Sequence, residues 1–264
     1  TERDLEMLAR SGVDPKLLRQ VPLPYFDDDP LLKLRGRART SGPPRFYHIG
    51  KWEPRKAQPN ILRAFVRAFA PGEAVLCLKI YGLSQALDGF PQGPIDVLRR
   101  LLLEPDVRAR GWTEEAFKKN ISVIDRFLSA SDLRAIHEQG DIYVTLSRGE
   151  GWDMPAFDAK LAGNLMVYTP SGGPQLFTSE GDVRVELSGT VRCHPMYRWE
   201  PDAEYFDYDV DVAAQALRAA AQRLGDERRT RPGIIMAGDE EGEPFSAKRV
   251  GMSMLKHLVD LCVP

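Results

Sequence analysis

Two acidic residues lie eight positions apart at the junction of a predicted strand and a predicted helix. The segment SRGEGWDMPAFDAKLAG, residues 147–163, carries them as Glu150 and Asp158. Residues 141–146, DIYVTL, are apolar and β-branched and predict a strand, whereas residues 154–162 have helical spacing. In open α/β sheets, ligands bind beyond the carboxyl ends of the strands. The spacing therefore predicts a ligand site that contains two carboxylates.

The residues between this strand and helix offer backbone groups to an anion. Asp153 is a predicted N-cap, and Pro155 suits the first turn of a helix. The N–H groups of residues 151–154 then point toward the strand end, where helix N-termini attract phosphate. A simple capped helix after a buried strand is the alternative, but capping does not explain Glu150 or the glycine after it.

Two lysines follow another predicted strand about a hundred residues earlier. In FYHIGKWEPRKAQPNILRAFVRAF, residues 46–69, Lys51 and Lys56 stand between a strand pattern and an apolar helix pattern. A single lysine is usually solvated on the surface, but a pair after a strand favours an anion site. Arg55 is a further cation beside them. Lysines and helix N–H groups are sufficient to hold a phosphate chain without a metal.

Together the two segments resemble the family 4 glycosyltransferases, which have the GT-B fold. The pattern S-x-GEG-x-x-MP-x-x-acid is similar to the two-acid motif of that family, with Asp158 in place of the usual second Glu. Lys51 stands where the family usually has Arg, and Lys56 stands where it has Lys. The resemblance covers nearly the whole chain but only the second half of a GT-B enzyme. It implies the C-terminal, Rossmann-like domain that holds the nucleotide sugar.

The resemblance also implies a role for each candidate residue. Glu150 contacts the donor sugar near its reacting carbon, and Lys51 and Lys56 meet the diphosphate. Asp158 binds the ribose hydroxyls. The nucleotide base of the donor lies against the backbone at Arg126 and Leu128. The remaining nucleotide-binding positions are Gly151, Trp152, Asp153 and Met154.

Two features near these residues allow more than one interpretation. Trp152 either stacks on the sugar or packs in the core. Gly172 and Gly173 follow another predicted strand, and they either let the backbone approach the sugar phosphate or form an ordinary turn. His48, in the strand before Lys51, is expected to be packed in the core.

Strand patterns alternate with helix patterns along the chain, which is typical of a βαβ fold. We expect one Rossmann-like α/β domain over residues 1–264, with a doubly wound, mainly parallel sheet. Its entry segment is 1–24 and its closing helix is 245–262. Strands are predicted at 17–23, 45–50, 75–82, 121–128, 141–146 and 164–169, and helices at 2–11, 57–70, 113–119, 131–139, 154–162 and 211–224. Residues 83–112 are expected to be irregular with one short helix, and residues 228–243 break the alternation.

The composition excludes several classes of function. The net charge is −2 and the pI is about 6.1, so the chain has no general basic field for nucleic acid or an acidic membrane. Three widely spaced cysteines give no disulfide or zinc pattern, which fits a reducing cytosol. No apolar run approaches the roughly 20 residues that span a bilayer. The acidic clusters Asp27-Asp28-Asp29, Asp207-x-Asp209 and Asp209-x-Asp211 are too short to specify a metal.

The predicted function is transfer of a hexose from a nucleoside-diphosphate sugar to a hydroxyl acceptor, such as a glycan or a lipid-linked acceptor. Retention of anomeric configuration is implied by the resemblance alone, as is an N-terminal domain, in cis or on a partner chain, that holds the acceptor. No cofactor is expected, since the nucleotide sugar is itself the substrate. The alternative is a non-catalytic nucleotide-sugar-binding module that requires a partner chain.

Overall fold

The fold is built on a six-stranded parallel sheet. A computed structural model describes residues 2–35, 41–82, 90–194, 202–226 and 245–262. The strands are β1 Arg45–Lys51, β2 Val75–Tyr81, β3 Ile121–Ile124, β4 Ile142–Thr145, β5 Leu165–Tyr168 and β6 Val183–Arg184. Their order is β3-β2-β1-β4-β5-β6, and every neighbouring pair is parallel. This is the Rossmann order, so the predicted fold class is confirmed.

Helices connect and cover these strands. They are α1 Glu2–Arg10, α2 Gln58–Ala68, α3 Pro94–Leu101, α4 Pro105–Ala109, α5 Glu114–Asn120, α6 Ala130–Gln139, α7 Met154–Leu161, α8 Val210–Asp226 and α9 Ala247–Cys262. Two further strands, β7 Gly189–Arg192 and β8 Glu204–Asp207, form a separate antiparallel pair. No helix of the described ranges is long and apolar enough to cross a membrane.

The sheet has a hydrophobic core on each face because side chains alternate along its strands. Phe46 belongs to a cluster formed with α2, α3 and α8, whereas the adjacent Tyr47 belongs to a second cluster formed with α7. The same alternation separates Val144 from Tyr143 in the next strand. Helices therefore lie on both faces, as the doubly wound prediction requires.

The strand order reverses between β1 and β4, and these two strands pair over a short length only. Their register joins Phe46 to Ile142 and Tyr47 to Tyr143. Further along, side chains bridge the gap: the Tyr143 hydroxyl donates to the Ile49 carbonyl at 3.1 Å. The Nδ1 atom of His48 lies 2.8 Å from the Val144 carbonyl. A crevice consequently opens at the carboxyl ends of these strands, which is where such sheets bind ligands.

A buried ion pair fixes α7, the helix that begins at this crevice. Lys160 Nζ lies 2.7 Å from Asp182 Oδ2, and both side chains are almost fully buried. Asp182 also accepts from the N–H groups of Met166 and Ser179 at 2.8 and 2.7 Å. Because its partners satisfy both oxygens, the pair ties α7 to β5 and to the turn before β6.

The predicted strand at residues 17–23 is wrong. The chain there forms a short 3-10 helix, Pro15–Leu17, and continues without a strand. Pro22 and Pro24 have no N–H to donate to a ladder, and Leu17 and Leu23 are largely exposed. An apolar run forms a strand only where a neighbouring strand can pair with it.

Other predicted bounds differ in smaller ways. The strand predicted at 121–128 ends at Ile124. The region 83–112 was expected to hold one short helix, and its described part, residues 90–112, holds two, α3 and α4. The strands β6, β7 and β8 were not predicted from the sequence. The interruption at residues 228–243 lies outside the described residues.

Candidate functional site

Two loops meet at the crevice between β1 and β4. The first runs from Trp52 to Ala57 and contains a short 3-10 helix, Pro54–Lys56. The second runs from Leu146 to Asp153. The Arg55 carbonyl joins them, because it accepts from the Arg148 N–H at 2.8 Å. The Ser147 hydroxyl donates to the same carbonyl at 3.2 Å. The predicted cations and acids are therefore brought together by backbone contacts.

Lys56 lies at the centre of the site. Its ammonium is 2.6 Å from Glu150 Oε1 and 3.6 Å from Asp153 Oδ1, and its side chain is 11% exposed. Burial alone would lower the pKa of Lys56, but the charges of Asp153 and Glu150 outweigh burial and raise it. Lys56 is therefore a fixed cation next to the crevice.

Glu150 is held between two cations. Arg55 Nη1 lies 3.0 Å from Glu150 Oε2, and Lys56 contacts the other oxygen. Burial would raise the pKa of Glu150, but Lys56 and Arg55 overcome that effect and lower it. The carboxylate is thus ionised at neutral pH and oriented from both sides.

Arg55 and Glu53 are the main site residues that sequence reasoning did not assign. Arg55 Nη2 lies 2.8 Å from Glu53 Oε1, so one guanidinium joins two carboxylates. Its Nη1 also donates to the Gly149 carbonyl at 2.5 Å. The position of Arg55 directly before Lys56 was the available signal. Nothing in the sequence indicates that Glu53 is buried.

Lys51 occupies the outer part of the site. It ends β1, its side chain is 42% exposed, and its ammonium lies 3.6 Å from Glu53 Oε2. Glu53 therefore links Lys51 to Arg55. The structure places both predicted lysines at the same strand end, one buried beside Glu150 and one at the solvent.

Asp153 stands at the N-cap position of α7, as predicted, without a regular side-chain capping hydrogen bond. Instead the carboxyl accepts from the Thr145 hydroxyl at 2.6 Å and faces Lys56. Its backbone is left-handed, with φ of 67°, which costs on the order of 1 kcal/mol for a residue with a side chain. Burial raises the pKa of Asp153 more strongly than Lys56 lowers it.

Gly172 and Gly173 hold the loop that carries Glu150. The Glu150 N–H donates to the Ser171 carbonyl at 3.0 Å, and the Gly173 N–H donates to the Glu150 carbonyl at 3.2 Å. A Cβ atom on Gly172 would lie 1.8 Å from the Glu150 carbonyl oxygen, and Gly172 also has a φ of 140°. Both glycines therefore permit a close backbone contact that positions Glu150, and they are more than an ordinary turn.

Trp152 packs in the core. Its ring lies 5.3 to 5.6 Å from the rings of Phe157, Phe177 and Phe245, so the packing alternative describes this side chain. Gly151 and Met154 on either side are exposed. Their N–H groups stay candidates for contact with an anion.

Asp158 lies one turn inside α7, as predicted, and is half-buried. Burial raises the pKa of Asp158 to about 7, and the charges of Asp29 and Asp153 contribute to the shift. The two acids of the motif therefore have opposite properties: Glu150 is firmly ionised, whereas Asp158 titrates near neutral pH.

Arg126 and Leu128 follow β3, at the edge of the sheet. Leu128 is buried and Arg126 is exposed. Phe127 between them is 97% exposed. These residues are two strands away from Lys51, at the same carboxyl edge, so they are not in direct contact with the cluster around Lys56.

A cleft of about 780 Å³ adjoins Glu150. It extends from the Glu150 loop to the β7–β8 hairpin, which is attached to that loop by the Phe206 N–H to the Arg148 carbonyl at 3.1 Å. Arg148 Nη2 also lies 2.9 Å from Asp207. The lining includes Arg55, Arg148, Gly149, Glu150, Gly151, Ser171, Gly172, Gln175, Thr190, Glu204, Tyr205 and Phe206.

The acidic clusters have roles of their own in the described structure. Asp29 accepts from the Leu31 N–H at the start of a 3-10 helix. Asp209 accepts from the Asp211 N–H at the start of α8, and Asp207 binds Arg148. Among the described residues, no group of three or more potential ligands has a geometry that could hold a metal ion.

No protein-family profile and no functionally curated protein sequence matches the chain. Solved structures do match its fold. HepE of Anabaena, in complex with UDP and glucose, matches 98% of this chain and 61% of its own, with a TM-score of 0.59 and 14% identity. The lipopolysaccharide outer core galactosyltransferase WaaB matches 97% of this chain and 59% of its own, with a TM-score of 0.58 and 13% identity.

A glycosyltransferase of Rickettsia africae matches 85% of this chain and 50% of its own, with a TM-score of 0.51 and 13% identity. The chain therefore spans 50 to 61% of the length of these structures. Over that part, its six-stranded parallel sheet has the fold of these GT-B glycosyltransferase structures. The fold implied by the sequence motifs is thus confirmed.

Proposed function

We propose that this chain binds a UDP-sugar in the crevice between β1 and β4 and supplies the donor site of a retaining hexosyltransferase. The observation that carries the proposal is the buried contact of Lys56 with Glu150 at the reversal point of the sheet. Complexes of HepE with UDP and glucose, and the galactosyltransferase activity named for WaaB, support the choice of donor.

The leaving group of such a reaction is a nucleoside diphosphate. Its negative charge grows as the sugar bond breaks and has to be met by fixed donors. Lys56 is held beside Glu150, and Lys51 lies at the solvent side of the same strand end. The N–H groups at the start of α7 are further candidates to bind the diphosphate. The cluster performs this task without a divalent ion.

Glu150 acts on the sugar in this proposal. As an ionised carboxylate with two cationic partners, it orients sugar hydroxyls and favours positive charge in the ring. It does not act as a general base. Asp158 binds the ribose, and the backbone at Arg126 and Leu128 lies against the base.

The first test replaces Lys56 with alanine. We expect Lys56→Ala to weaken UDP binding by about 10- to 150-fold, which corresponds to the roughly 1.5 to 3 kcal/mol of a charged hydrogen bond. Binding of uridine, which has no phosphate, should change little. Isothermal calorimetry with both ligands measures the difference.

The control is Lys119→Ala, which removes an exposed lysine of α5 and should leave both affinities unchanged. Equal loss of UDP and uridine affinity in Lys56→Ala would contradict the phosphate role. A thermal-shift panel of UDP, GDP and ADP with their sugars identifies the base, because a bound ligand stabilises the native state.

The second candidate function is a nucleotide-sugar-binding module that turns over only with a partner chain. The partial match favours this candidate, because the chain corresponds to only 61% of the HepE chain and 59% of the WaaB chain. In either case we propose that an N-terminal GT-B domain, in cis or on a partner, holds the hydroxyl acceptor.

A further inference from the structure

The charges around Lys56 are balanced before any ligand binds. Three cations, Lys51, Arg55 and Lys56, contact three carboxylates, Glu53, Glu150 and Asp153, at 2.6 to 3.6 Å. A phosphate chain that enters this cluster adds several negative charges. Like charges in a poorly hydrated site repel each other strongly. Protonation of one of the carboxylates therefore becomes more favourable when the phosphate chain binds.

Asp153 is the carboxylate least well compensated in this cluster. Glu150 has cations at 2.6 and 3.0 Å, and Glu53 has them at 2.8 and 3.6 Å. Lys56 lies 3.6 Å from the Asp153 carboxyl, farther than the nearest cation of either other carboxylate, and the Asp153 side chain is fully buried. Its further polar partners are neutral groups, the hydroxyl of Thr145 at 2.6 Å and the backbone N–H of Ala156.

We infer that Asp153 takes up a proton from solvent when a phosphate chain binds beside Lys56. The proton neutralises the carboxylate, and the charge of Lys56 is then available to the ligand. Asp153 is a positioning residue in this inference because it acts through Lys56. The inference rests on the proposed nucleotide site and adds that its affinity depends on pH.

The surroundings of Asp153 agree with this assignment. Burial already raises the pKa of Asp153 without a ligand, and the charge of Glu150 adds to the effect. The left-handed backbone at Asp153 shows that the fold keeps this side chain turned inward despite its conformational cost. The titratable or charged groups that face it are Lys56, Glu150, Tyr143 and Asp158.

Calorimetry of UDP binding measures the proton directly. The binding enthalpy of the wild-type chain, compared in buffers of different ionisation enthalpy, gives the number of protons taken up at each pH. We expect uptake of up to about one proton, with affinity that increases up to about tenfold for each unit of decreasing pH in the titrating range. Inorganic pyrophosphate serves as a second probe that does not depend on the base.

Asp153→Asn is the decisive variant because asparagine has the same shape and tolerates a left-handed backbone. It should lose the proton uptake, and at alkaline pH it should bind UDP at least as tightly as the wild type. Asp153→Gly, which removes both the carboxyl and the backbone strain, should behave alike and covers the possibility that the first variant folds poorly. Asp158→Asn should retain the uptake that belongs to Asp153.

Two results would overturn the inference and leave the nucleotide site intact. One is wild-type binding of UDP with no proton uptake at any pH. The other is the same uptake in the wild type and in both Asp153 variants. If the wild type binds neither UDP, GDP, ADP nor pyrophosphate, the proposed function and the inference both fail.

Discussion

At the scale of single residues, the two carboxyl groups of the motif, eight positions apart in the sequence, have different pKa values. Glu150 lies between Arg55 and Lys56, which hold its pKa below the ordinary value. Asp158, eight residues later in the chain, has no ion pair with a cation in the described part of the chain, and burial raises its pKa to about 7. Such a separation of pKa values is the usual sign that two carboxyls perform different tasks.

Glu150→Gln tests the sugar-binding role. Glutamine keeps the shape but removes the charge that favours a cationic ring, so we expect transfer to fall about a hundredfold. UDP affinity should change much less. Turnover with UDP-glucose, measured on the chain joined to a GT-B N-terminal domain, and calorimetry with UDP together measure the effect. Normal turnover in this variant would remove Glu150 from the reacting centre.

Asp158→Asn tests the raised pKa of Asp158 through its effect on the free energy of unfolding. A raised folded-state pKa means that the native chain binds more protons than the unfolded chain between about pH 4 and 7, so stability from Asp158 decreases as pH rises through that range. At pH 8 the variant should therefore be more stable than the wild type, by on the order of 1 kcal/mol after allowance for solvent screening. Urea unfolding at both ends of the range measures it.

Asp132→Asn is the matched control with the opposite sign. The hydroxyl and N–H of Ser129 lower the pKa of Asp132 in the capping box of α6. Its contribution to stability is therefore present at neutral pH and is lost in acid, so Asp132→Asn should destabilise the chain at pH 8. If both variants shift stability in the same direction at pH 8, the interpretation of Asp158 is wrong.

At the scale of elements, the sequence predicted what depends on periodicity. The strands β1, β2, β4 and β5 and the helices α2, α6, α7 and α8 agree with their patterns to within a few residues. The sequence did not predict β6, which has two residues, or the strand order, since both depend on neighbours distant in the chain. The strand predicted at 17–23 was wrong for the same reason. Its pattern suited a strand, but the described structure has no strand beside it with which to pair.

The candidate site was predictable where a residue type and a spacing carry the chemistry. Lys56, Glu150 and Asp153 were named and are brought together. The roles of Arg55 and Glu53 depend on which way a short 3-10 helix turns, and the inward turn of Asp153 depends on a left-handed backbone. Periodicity does not report either of these features.

Gly172→Ala tests the contact between two loops of the site. The added methyl group would overlap the Glu150 carbonyl oxygen. The alanine backbone would also have to keep a φ of 140°, which residues with a side chain rarely adopt. We expect a loss of stability of about 1 to 3 kcal/mol from strain, together with weaker binding of UDP-glucose as Glu150 moves. Gly149→Ala is the control from the neighbouring loop, because its Cβ would meet nothing within 4 Å. Equal effects of the two substitutions would show that the contact has no special role.

At the scale of the whole molecule, the chain matches only part of the length of its structural relatives, and its acceptor site is unassigned. We expect the chain alone to bind UDP-sugar but to transfer the sugar slowly. Loss of acceptor alignment alone forfeits roughly 7 to 11 kcal/mol of barrier reduction. Joining it to a GT-B N-terminal domain should restore transfer. Comparing both forms with one labelled donor measures the difference, and robust acceptor-dependent transfer by the chain alone would contradict the expectation.

The short pairing between β1 and β4 also bears on how the chain folds. Strands β1, β2 and β3 are neighbours in sequence as well as in the sheet, and so are β4, β5 and β6. Each trio closes through shorter loops than the β1–β4 junction, which joins Phe46 to Ile142. Contacts of long sequence separation form slowly, so we expect the two trios to form before they join. Since Lys56 and Glu150 stand on opposite sides of that junction, nucleotide binding during refolding should appear later than the recovery of helical signal.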